Sequence, residues 1–81
     1  MITSGQIKAA RALLGMTATE LADISGVAYT TVVRMESSSG IPSGQVKTLD
    51  AVQSALEKAG IEFIGTPEDG AGVRWRPSQS R

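Results

Sequence analysis

Catalysis near neutral pH draws on a short list of side chains, and this sequence omits the most useful of them. Its 81 residues include no histidine and no cysteine, which removes the commonest general base, the commonest metal ligand and any thiolate or disulfide chemistry. Carboxylates and hydroxyls remain, but they are scattered, with no base–nucleophile spacing. The glycine-rich stretch from Gly65 to Gly72 (GTPEDGAG) joins two alternating segments and does not lead into a helix, so it lacks the setting of a phosphate-binding loop. Neither an enzyme activity nor a cofactor or metal site is expected. What remains is a recognition surface. At 100° per residue, Thr30, Val33, Arg34 and Ser37 fall on one side of a short helical stretch, with Tyr29 at its flank and Ala28, Val32 and Met35 on the opposite side.

The elements that must hold this surface can be read from capping signals and periodicity. Thr3 and Ser4 precede an apolar stripe at Ile7, Ala10, Leu13 and Leu14, and Gly15 can end that helix. Thr17-Ala18-Thr19-Glu20 is a Thr-x-x-Glu capping box, which predicts a helix over about 18–25 burying Leu21, Ala22 and Ile24. Gly26 permits a tight turn, and helical period resumes near Ala28. Ser37 to Gly44 reads as a loop. A further helix over about 45–59 has Val46, Leu49, Val52 and Leu56 on its apolar side. Beyond Gly60 the period shortens to two: Ile61–Ile64 and Val73–Arg76 predict two strands, with Ile61, Phe63, Val73 and Trp75 on one face and Glu62 opposite the arginines. The expected class is therefore mainly α, four helices followed by a C-terminal two-stranded β-ribbon. Residues 1–60 form the helical domain, 61–76 the ribbon and 77–81 a frayed tail.

Two short helices joined by a glycine turn, with Ala22 at the crossing, Gly26 in the turn and Val32 and Met35 holding the second helix, resemble the lambda-repressor-like (Cro/Xre-type) helix-turn-helix regulators. The likeness extends to Leu13–Gly15, Pro42 and the "LDAVQSALEKAG" segment, over roughly residues 5–60. It implies sequence-specific binding of double-stranded DNA, with the helix at about 28–37 in the major groove. Base edges would meet Tyr29, Thr30, Val33 and Arg34, and Ala28, at the start of that helix, counts among the DNA-binding residues. The DNA backbone would meet Thr17, Ala18 and Thr19 at a helix N-terminus, and Ser37, Ser38 and Lys47 from the far side. The family often joins its first helix to the end of the recognition helix by an arginine–glutamate pair, and Arg11 and Glu36 occupy those positions. Ala28 stands where a serine or threonine cap is usual.

Such regulators usually act as two-fold dimers, and the ribbon, through Phe63, Ile64, Val73 and Trp75, is the expected homodimer contact. The alternative is a lid on its own helices. Formal net charge is zero, giving no global attraction to nucleic acid. That balance, with the Tyr29/Val33 surface, suits a rival role as a protein-binding module (an anti-activator or antitoxin-like partner) or a second regulatory protein as an added partner. No apolar run reaches the roughly 20 residues of a membrane span, so a soluble cytoplasmic repressor is the expectation.

Overall fold

The computed structural model describes residues 1–42 and 44–76; the expected tail at 77–81 lies outside the described residues. Four helices, α1 (Ser4–Leu14), α2 (Ala18–Ser25), α3 (Tyr29–Ser37) and α4 (Val46–Lys58), precede strands β1 (Ile61–Thr66) and β2 (Asp69–Trp75). Capping boxes start the first two helices. The Thr3 hydroxyl accepts from the Gln6 amide while the Gln6 side chain accepts from the Thr3 amide, and Thr17 and Glu20 do the same for α2. The core gathers one stripe from each helix: Ile7 and Ala10, Leu21 and Ala22, Val32 and Met35, then Leu49, Val52 and Leu56, with Ile2 and Ile61 closing the ends.

Three expected core residues lie on the surface. Leu13 is 44% exposed, Ile24 51% and Val46 58%. Leu14 takes the inward place one turn beyond Ala10, and Leu13 is rotated about 100° away from it. Ile24 belongs to a helix that only Leu21 and Ala22 bury. Val46 opens α4 before that helix has reached the core.

The strands are longer than their alternation predicts, and the eight-residue connection between them shrinks to Pro67–Glu68. Gly65 makes this possible. Its φ is +76°, and a β-carbon there would stand 2.2 Å from the Gly70 carbonyl oxygen, so only glycine lets the two backbones come so close. The strands pair antiparallel, with Ile61 opposite Trp75, Phe63 opposite Val73 and Ile64 opposite Gly72. Phe63 and Val73 pack on the helical core. The side chain of buried Gln6 donates through Nε2 to the Ile64 and Gly72 carbonyls at 3.2 and 2.8 Å. Ribbon and helices thus share one core within the chain.

Candidate nucleic-acid interface

Helix α3 is presented by what holds its inner face. Gly26 ends α2 at φ +72°, its amide bonding to the Ala22 carbonyl at 3.0 Å, and the turn through Val27 releases the chain in a new direction. Val32, Met35 and Glu36 of α3 are buried. The Met35 carbonyl accepts from the buried Ser4 hydroxyl at 2.5 Å. Arg11 makes a two-pronged pair with Glu36, Nε to Oε2 at 2.6 Å and Nη2 to Oε1 at 2.7 Å, and its Nη1 donates to the Met16 carbonyl at 2.9 Å. The pairing with Glu36 raises the Arg11 pKa, against a smaller lowering from burial. Helix α1 therefore grips both the end of α3 and the turn that leads into α2.

The outer face of α3 is free. Tyr29 is 52% exposed and Val33 39%, with Thr30 and Arg34 also in solvent. The Arg34 Nη2 lies 3.5 Å from Thr31 Oγ1, a contact at the limit of hydrogen bonding, so the guanidinium can swing toward a ligand. Two helices set at a glycine corner, the second buried along one side and bare along the other, match the geometry that fills a major groove.

A family model described as helix-turn-helix matches residues 7–46, the span from α1 to the start of α4. The chain carries a lambda-repressor-like helix-turn-helix. Comparison with curated proteins finds no match. The helix-turn-helix makes the chain a DNA-binding transcriptional regulator whose partner is double-stranded DNA.

Around this helix-turn-helix, the expected contact residues divide into those free to act and those already engaged. At the α2 N-terminus, the Thr17 amide is bound to the Glu20 carboxylate at 2.8 Å and Thr17 Oγ1 accepts from the Glu20 amide at 3.1 Å. Thr17 therefore offers a hydroxyl proton but no free amide. The open amides of the first turn belong to Ala18 and Thr19, with Ala18 half-buried against the core. The hydroxyls of Ser37 and Ser38 donate to the Val33 and Arg34 carbonyls, so either must rotate to donate to a phosphate. Lys47 is exposed on the first turn of α4. Ala28 is the N-cap of α3 and gives no side-chain hydrogen bond.

Sequence reasoning overlooked Gln45. It caps α4 without a side-chain bond and, with Arg34, Thr31, Val46 and Thr48, lines a groove of about 390 Å³ between α3 and α4. The signal was a polar residue directly before an apolar periodic run, hidden because glutamine is a poor N-cap.

Among the expected dimer residues, Phe63, Ile64 and Val73 are half-buried, Phe63 and Val73 packing against the chain's own core, whereas Trp75 stays 40% exposed. Among the described residues no cluster of carboxylates could hold a metal ion, and no helix is long and apolar enough to cross a membrane.

Proposed function

We propose that the chain is a sequence-specific repressor that binds operator DNA as a homodimer and excludes polymerase by occupying the groove. The observation behind this reading is the outward presentation of Thr30, Val33 and Arg34 on a helix whose other side is clamped by Arg11–Glu36 and Ser4–Met35. In the groove, Arg34 donates both arms of its guanidinium to a guanine, and Val33 with the Thr30 methyl packs on thymine methyls. Tyr29 reaches a base or phosphate at the helix start. The Ala18 and Thr19 amides, the Thr17 hydroxyl and Lys47 take backbone phosphates, with Ser37 and Ser38 joining after rotation. Action on DNA supports a cytoplasmic location. Operator affinity belongs to the range of about 10⁻⁸–10⁻¹¹ M usual for such interfaces.

Arg34→Ala tests the base contact. Gel shifts should show a loss of roughly 1–3 kcal/mol on the selected operator and relaxed preference at one base pair. Unchanged affinity with unchanged preference removes Arg34 from base reading.

A second reading draws on the exposed Tyr29 and Val33: the same face docks an apolar protein surface. Salt separates the two, because phosphate contacts release counterions and their affinity falls steeply with ionic strength. An apolar contact would hold.

A further inference from the structure

The ribbon is a sheet of two strands, so among the described residues each strand has one edge without a neighbour. Such an edge is a template for another strand. The Arg76 amide donates to the Gly60 carbonyl at 2.8 Å, which makes that pair hydrogen-bonded. Alternation along an antiparallel ladder then directs the backbone groups of Val73 and Trp75, and of Ala71 in continuation, outward from β2.

Charge distinguishes β2 from β1. At one end of β2, Arg74 and Arg76 share a single oxygen of Glu62, at 3.4 and 3.1 Å, leaving a positive excess. At the other end Glu68 and Asp69 are exposed, with no ion-pair partner among the described residues. A strand running from acid to base is complementary to an antiparallel copy of itself and repelled by a parallel one. Rim charges of this kind fix orientation and register.

Midway along Asp69–Trp75 stands Gly72. A glycine inside a strand weakens it, and this one is not required by its own chain. Its φ is not positive, and a β-carbon there would meet the Ile64 side chain at 3.5 Å and the Gly70 carbonyl oxygen at 4.0 Å, both ordinary contacts. Glycine also marks places where a second backbone approaches closely. A non-hydrogen-bonded antiparallel pair brings its two Cα atoms to about 4.5 Å.

We infer that β2 pairs antiparallel with β2 of a second copy about a two-fold axis at Gly72, making a four-stranded sheet across the dimer. Ala71 then faces the partner's Val73, and the regular pairing stops short of Asp69, where the ladder shifts register at Thr66 and Gly70 takes a φ of 70°. The acidic turn of each copy lies toward the arginines of the other, and the exposed indole of Trp75 gains cover. This rests on the dimer reading above and adds to it the edge, the direction and the register.

The chain lacks cysteine, so one introduced cysteine can form a disulfide only between copies. Under mild oxidation Gly72→Cys should give covalent dimers at least roughly tenfold faster than Ser54→Cys on the exposed side of α4, because pairing raises the effective concentration of the thiols. Circular dichroism of the reduced variants checks that they are folded. In the unaltered chain, the emission of Trp75, its sole tryptophan, should shift to the red on dilution. Light scattering keeps the two levels apart. A chain that is dimeric while Gly72→Cys crosslinks no faster than Ser54→Cys overturns pairing through β2 and leaves the dimer standing. Faster crosslinking by Ala71→Cys or Val73→Cys overturns the register. A monomer at tens of micromolar, with Trp75 emission constant on dilution, overturns the dimer and this pairing together.

Discussion

Replacing Arg11 by methionine removes the charged tie between α1 and α3 and leaves the largely buried Glu36 carboxylate without its partner. Arg11 contributes two short bonds to Glu36 and a third to the Met16 carbonyl. The side chains are 24% and 10% exposed, so the pair is neither a solvated surface contact, worth about 0–1 kcal/mol, nor a fully buried one, where losing one partner costs about 3–5 kcal/mol. Discounting for the solvent that still reaches Arg11, the expected loss is about 2–3 kcal/mol, or a fall in Tm on the order of 10 °C for a domain this small. Glu36→Leu should cost less, and the double variant less than the sum, with a coupling of about 1–2 kcal/mol. Urea denaturation followed by helical circular dichroism measures all four proteins. The pH dependence has a definite sign. A folded-state pKa above the unfolded one stabilises at every pH below the unfolded value and is lost only as pH rises past the guanidinium's range. The Arg11 contribution should therefore be flat between about pH 7 and 9. A single-variant loss under about 0.5 kcal/mol together with additive double-variant energies would show that α3 is not held this way.

Other perturbations reach different parts of the same reasoning. Ala28→Ser supplies the missing cap of α3 and should stabilise the domain by about 0.5–1 kcal/mol, seen as a higher Tm; no change would mean that the first amides of α3 need no side-chain partner. Gly65→Ala forces a β-carbon against the Gly70 carbonyl at positive φ and should cost about 2–3 kcal/mol in urea unfolding. Gln6→Leu removes donors to the Ile64 and Gly72 carbonyls and should cost about 1–3 kcal/mol, with faster amide exchange in the ribbon than in α4. Lys47→Ala should weaken operator and random DNA alike and lower the salt slope by about one; a change confined to one sequence would make Lys47 a base reader.

Much of the helical half was legible because its signals are local. The Thr17–Glu20 capping box and Gly26 each act within one or two turns, and the ends of α2 follow from them. The outward side of α3 was readable for the same reason, since helical period sorts Val32 and Met35 from Thr30, Val33 and Arg34. Reading failed where a neighbour decides. Leu13, Ile24 and Val46 are apolar at plausible helical positions, and nothing in their own helices says which turn another helix will cover. The strand ends depended on how closely Gly65 approaches Gly70, a contact between backbones that hydropathy does not record.

By itself, then, the order of residues determined the elements, the glycine corner and the two candidate partners of the Arg11–Glu36 pair, because caps, turns and amphipathic period are short-range effects. Only the tertiary structure decided that Phe63 and Val73 turn inward, that Gln6 fastens the ribbon to α1, and that Gln45 lines one groove with Arg34. Each of these depends on groups distant along the chain coming together, which a linear pattern does not specify.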